Sequence, residues 1–106
     1  AYRIEAGGRV FGFTGDTAFK EDFASFFQGA HVLLSECNFY KGMDAAERAG
    51  HLTSEHAAMI ARDAGAERLI LTHLPHFGDV KQLKVEAAAV FSGEIGLAST
   101  GLTIEI

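Results

Sequence analysis

Polar residues of a chemically useful kind collect just after short apolar runs, in Thr14-Gly15-Asp16-Thr17, Ser35-Glu36-Cys37-Asn38 and Thr72-His73-Leu74-Pro75-His76. A fourth group, Gly50-His51-Leu52-Thr53, enters a helix-like run. In open α/β sheets the ligand site lies beyond the carboxyl ends of the parallel strands, so these segments would share one rim. Two carboxylates, Asp16 and Glu36, and up to three imidazoles, His51, His73 and His76, would then meet there. Carboxylate oxygen mixed with imidazole nitrogen suits zinc, manganese or iron rather than calcium. Taken singly, each residue has a plainer role. Asp16 can cap a turn, Glu36 can emerge into solvent at a strand end, His51 can be an ordinary loop residue and His73 can be hydrogen-bonded within the core. Convergence on one rim is what would make them a site.

That rim requires alternating strands and helices, which the apolar patterning predicts. Tyr2 to Glu5 and Arg9 to Phe13 read as an antiparallel pair, turned by Ala6-Gly7-Gly8, whose glycines tolerate positive φ. Phe23, Phe26 and Phe27 at i, i+3 and i+4 predict a helix from near Lys20 to Gly29 with all three rings on its core face. His31 to Glu36, nearly continuously apolar, reads as a strand covered on both faces, and Arg68 to Thr72 reads the same way. Between them a helix starts at Thr53, an N-cap, with Glu55 near its positive end and His56 where a capping box would carry Glu. Ala57, Ile60, Ala61 and Ala64 form its buried stripe and Gly65 stops it. Asp79 with Gln82 resembles a capping box opening a third helix, whose Leu83, Ala87, Val90 and Phe91 share a face. Glu94 to Ala98 and Leu102 to Ile106 are expected as closing strands. The order β-β-α-β-α-β-α-β-β implies a mixed sheet in which right-handed crossovers place consecutive parallel strands side by side.

Composition narrows the chemistry. A chain of 106 residues, 48% apolar and 22% charged, is one ordinary globular unit rather than a disordered or repetitive one. Nine Lys and Arg against fourteen Asp and Glu leave a net charge of -5, so any nucleic-acid role needs a basic surface supplied elsewhere. Runs such as Val32-Leu33-Leu34 fall far short of the ~18 apolar residues of a membrane span. Cys37, the single cysteine, cannot close an intrachain disulfide, which sets a reducing cytoplasm as the expected location. Burial and the neighbouring Glu36 both disfavour its thiolate, so it reads as packing rather than as a nucleophile. Dinucleotide, P-loop and serine-elbow glycine motifs do not occur. A metal or acid/base site remains.

The four segments in their order, strand-Gly15-Asp16-Thr17, strand-Glu36, Gly50-His51-Leu52-Thr53 opening a helix and Leu69-Ile70-Leu71-Thr72-His73, resemble the ribonuclease Z-type hydrolases of the metallo-β-lactamase fold. The resemblance covers essentially the whole chain. It implies an α/β fold in which residues 1–106 are a single unit, the C-terminal half of a four-layer αββα sandwich. It further implies that Asp16 bridges two metal ions and that His73 is a terminal ligand of one, zinc being expected and manganese or iron admissible. Glu36 resembles the acidic residue of the family's His-Glu-Ala-Thr motif and His51 the histidine of its His-Ser-Thr motif, a pair in which Glu36 steers the imidazole that protonates the leaving oxygen. The neighbours of both residues differ here.

The family's His-x-His-x-Asp-His cluster has no counterpart in the chain. Two matching ligands fall short of the three that typically hold a catalytic zinc. The expectation is therefore a fragment of a metal-dependent hydrolase, a phosphodiesterase whose bridging hydroxide attacks phosphorus in the intact enzyme, inactive alone and completed by the N-terminal half of the same fold. Nucleic acid is expected only as a substrate of that intact enzyme. A thioester or lactone hydrolase on the same fold is one alternative. A non-catalytic interaction module, exposing an apolar sheet face and forming a homodimer, is another.

Overall fold

The structure is a computed structural model that describes residues 1–43 and 45–105, Glu47 by its backbone alone. Among these residues the short apolar runs build five strands, β1 (Tyr2–Ala6), β2 (Arg9–Phe13), β3 (Val32–Glu36), β4 (Arg68–Thr72) and β5 (Glu94–Leu97), in the spatial order β1-β2-β3-β4-β5. β1 and β2 are antiparallel, with Ile4 opposite Phe11. The turn joining them needs its glycines, since Gly7 and Gly8 lie at φ +58° and +77°. β2, β3, β4 and β5 are mutually parallel, so the carboxyl ends of β2, β3 and β4 open on one edge of the sheet.

Helices cover one face. These are α1 (Phe23–Phe26), α3 (Ser54–Ala64) and α4 (Lys81–Ala88), while α2 (Ala45–Ala49) lies in the connection from β3 to α3. Gly12, Leu33, Leu69 and Ile95 stand side by side across the strands and share the core with Phe27, Ile60, Ala61 and Leu83. Gly12 admits no side chain: a Cβ there would lie 2.5 Å from the Phe27 ring. On the opposite face Val32 and Ile70 are buried, whereas Tyr2 and Ile4 on the edge strand are 65% and 56% exposed. No helix among the described residues is long and apolar enough to cross a membrane.

Several local expectations change. α1 is a single turn, and Phe26 is 41% exposed while Phe23 and Phe27 are buried. At about 100° per residue, Phe23 and Phe27 lie about 40° apart and Phe26 about 100° from Phe27, too far round to share the core face. α2 is an extra helix, absent from the sequence reading. His56 completes the capping box at α3: Thr53 Oγ1 accepts from His56 N–H at 3.1 Å while His56 Nδ1 accepts from Thr53 N–H at 3.4 Å. α4 has no such box, because Asp79 accepts the Lys81 N–H at 3.0 Å and forms a turn instead. The closing strand expected over Leu102 to Ile106 does not form in residues 102–105, and Ile106 lies outside the described residues. There the chain turns at Ser99 to Leu102 and meets Arg68, whose Nη1 donates to the Glu105 carbonyl at 3.4 Å.

Candidate active site at the carboxyl edge of the sheet

The rim is built from strand ends locked to one another. As β2 ends, Thr14 donates its N–H to the Leu34 carbonyl at 3.1 Å, and its buried Oγ1 accepts the N–H of Glu36 at 3.0 Å. Gly15, at φ +64°, then turns the chain so that Thr17 N–H reaches Glu36 Oε1 at 2.9 Å, with Asp16 exposed between them. As β3 ends, Cys37 N–H donates to the Thr72 carbonyl at 2.8 Å and ties β3 to β4. A short parallel bridge between Phe39 and Thr53 brings the start of α3, and with it His51, to the same edge.

Glu36 is the centre of this lattice. Its side chain is 1% exposed. Oε1 accepts from Thr17 N–H and from His51 Nδ1–H, both at 2.9 Å, and Oε2 accepts from Leu52 N–H at 3.1 Å and Asn38 N–H at 3.3 Å. A carboxylate offers about four acceptor positions, so all are taken, which is how an ionised group is tolerated at this depth. Because an ionised carboxylate only accepts, the His51 proton sits on Nδ1 and Nε2 is the ring's unprotonated nitrogen.

Asp16 and His73 form the second pair, with His73 Nδ1 donating to Asp16 Oδ1 at 2.9 Å. Both are open, their side chains 66% and 41% exposed. His73 is the one described non-glycine residue at positive φ, +51°. That conformation costs a residue with a β-carbon about 1–2 kcal/mol. It also breaks the strand alternation that would send residue 73 toward the helices and aims the imidazole at the rim instead. The His51 and His73 rings meet edge to face, centroids 5.2 Å apart.

The structure thus brings Asp16, Glu36, His51 and His73 together and leaves His76 exposed on the loop beyond Pro75. Glu36, His51 and His73 each place one nitrogen or oxygen within 4.8 Å of the others, the spacing of a possible metal-holding group. Glu36 is nevertheless a poor ligand, since binding an ion would strip hydrogen bonds that hold the rim together. Asp16 and His73 supply oxygen and nitrogen at the open end, a donor chemistry that fits a divalent transition metal, but two donors are fewer than the three a catalytic zinc typically has. Burial first, then the charges of Glu36 and Glu86, push the Cys37 thiol up to about 12, which makes it packing rather than a nucleophile.

Three supporting residues have roles that the sequence reading does not assign, although Thr14 and Asn38 stand in its polar segments. Thr14 joins β2 to the Glu36 backbone, Asn38 donates its side-chain amide to the His73 carbonyl at 3.1 Å, and Glu86 on α4 accepts from Ser54 Oγ at 2.6 Å and Lys41 N–H at 2.9 Å. Their partners lie 22 to 45 residues away, so no local pattern marks them.

Residues 1–74 match the family model described as beta-lactamase superfamily domain. The chain is 44% identical over 105 residues to the probable metallo-hydrolase YhfI of Bacillus subtilis (strain 168), covering 99% of this chain and 43% of that protein. It is 38% identical over 104 residues to ribonuclease Z of Halobacterium salinarum, covering 93% of this chain and 33% of the relative. Among solved structures, the metallo-beta-lactamase fold protein YhfI superposes with a TM-score of 0.91 at 45% identity, over 94% of this chain and 41% of that one. Human tRNase Z, short form, superposes with a TM-score of 0.75 at 27% identity, over 98% and 37%. The chain therefore spans 33% to 43% of the length of these relatives.

Proposed function

This chain belongs to the beta-lactamase superfamily and carries its metallo-β-lactamase fold, and from that membership we propose that it forms part of the active site of a metal-dependent hydrolase of the ribonuclease Z type, cleaving phosphodiesters. The observation that carries the reading is the placement of an open Asp16–His73 pair beside a closed Glu36–His51 pair on one rim, imidazole centroids 5.2 Å apart. Asp16 and His73 would hold the metal, zinc by donor type. Bound there, such an ion would supply charge stabilisation and a nucleophile at neutral pH.

The chain's own residues account for the proton. Glu36 holds His51 in one orientation and one tautomer through Nδ1, so a second proton would sit on Nε2, the ring nitrogen that does not meet the carboxylate. His51 then serves as the general acid that protonates the leaving oxygen, and Glu36 acts as its positioning residue. The donor count argues that the remaining ligands come from polypeptide other than residues 1–106, packed against this unit. The lone buried Cys37 accords with a cytoplasmic setting.

The test uses the intact protein that contains this chain. Zinc binding by that protein should be tight and should be weak in the 106-residue chain alone. His51→Ala should lower turnover of an activated phosphodiester by about 10²–10⁴-fold with zinc content unchanged. Unchanged turnover in that variant, or an intact protein that binds no metal, would refute the proposal.

A further inference from the structure

We infer that Asn38 is the positioning residue of His73, and that it couples the two halves of the rim. The inference deepens the proposed function, since it rests on His73 being a working residue of the site. Asn38 stands two residues beyond the β3 end and reaches both pairs at once. Its backbone N–H donates to Glu36 Oε2 at 3.3 Å, and its side-chain Nδ2 donates to the His73 carbonyl at 3.1 Å. The second contact falls on the residue whose left-handed backbone directs the imidazole to Asp16. A strained backbone persists only where its surroundings over-determine it, and the Asn38 amide caps the carbonyl that the left-handed turn swings away from the strand.

Asn38 is itself held firmly. The next residue, Phe39, accepts the Ser54 N–H at 3.1 Å and lies beside the His51 ring, centroids 6.0 Å apart. Tyr40 donates its hydroxyl to the Phe77 carbonyl at 2.6 Å, and Lys41 N–H is taken by Glu86 at 2.9 Å. The segment after β3 is therefore a strap that grips the loop carrying His73 at its first residue and again four residues on. Through the strap, a displacement of Asn38 moves His73 while the Glu36–His51 contact keeps its other partners, Thr17 N–H and Leu52 N–H.

The difference between the two pairs makes this testable without a metal. In the ¹⁵N-labelled, metal-free intact protein, the imidazole nitrogens of His51 should report a single tautomer with the proton on Nδ1, and those of His73 a bias toward the proton on Nδ1. Asn38→Ala, which removes the donor, and Asn38→Asp, which keeps the shape but cannot donate, should each average the His73 tautomer and leave that of His51 in place. In the intact protein the same variants should weaken zinc binding by about 10–100-fold, the usual effect of losing a partner that orients a ligand. A His73 signal unchanged in both variants overturns the inference whatever the reaction turns out to be. Loss of both imidazole signatures together, in both variants, makes Asn38 a general fold residue and overturns it equally. If the imidazole responds as stated and zinc binding does not, the role of His73 as ligand fails while the positioning of its ring by Asn38 stands.

Discussion

Glu36 and His51 are joined by the same 2.9 Å contact as Asp16 and His73, yet the Glu36 side chain is 1% exposed and that of Asp16 is 66% exposed. The difference lies in what else each carboxylate touches. Glu36 accepts three backbone N–H groups in addition to the imidazole, so its position is set by the scaffold and its lone pairs are committed. Asp16 stands in water, where an exposed polar contact of this kind contributes about 0–1 kcal/mol. An open pair gives up its contact at little cost and can take an ion instead, whereas a closed pair cannot. On the proposed function, one rim would offer a rigid imidazole for proton transfer beside exchangeable donors for a metal.

The most severe way to break this comparison is to truncate the two carboxylates in turn. Glu36→Ala should cost about 3–5 kcal/mol in urea unfolding, because it strands buried N–H groups at the junction of β2, β3 and α3. Asp16→Ala should fall within about 0.5 kcal/mol of the parent while abolishing the zinc binding of the intact protein. Equal costs for the two would show that burial does not separate them. A smaller effect sharpens the same contrast. Thr14→Val keeps the volume but removes the acceptor for the Glu36 N–H and should cost about 1–3 kcal/mol, with the Asp16–His73 contact intact by imidazole NMR. A loss confined to the Asp16 side would reverse the assignment.

The smallest effect probes how dry the closed side is. Cys37 follows Glu36, and its thiol is raised from 9.0 to about 12 by burial first and by Glu36 and Glu86 after it. The folded form holds this proton more tightly than the unfolded one, so the contribution to stability is complete below about pH 9 and is lost as the pH rises toward 12. Cys37→Ala should flatten the fall in stability across that window, and at pH 8 alkylation of the parent should occur only through unfolding. Rapid alkylation of the native chain would show water at the base of the Glu36 site.

Legibility followed the range of the interaction concerned. Thr53 as an N-cap, Gly65 as a left-handed stop and the strand Arg68–Thr72 stand as the sequence reads, since each depends on neighbours within a few residues. Phe26 does not, because whether a ring at the edge of a helical stripe is buried depends on what the helix packs against. His56 completes its capping box because an imidazole nitrogen can take the place of a carboxylate oxygen, a substitution the usual pattern omits. The short helix Ala45–Ala49 and the irregular stretch over residues 102–105 are marginal pieces whose state is decided by their surroundings.

By itself the sequence determined which kinds of side chain stand at the strand ends, because strand and helix periods and turn residues are local and place Asp16, Glu36 and His73 just past apolar runs. Tertiary structure alone decided which acceptor each imidazole meets and how wet that contact is. Glu36 is fifteen residues from His51 and Asp16 is fifty-seven from His73. Hydrogen bonds act over about 3 Å, and only the register of the parallel strands and the left-handed turn at His73 bring such distant atoms within that reach.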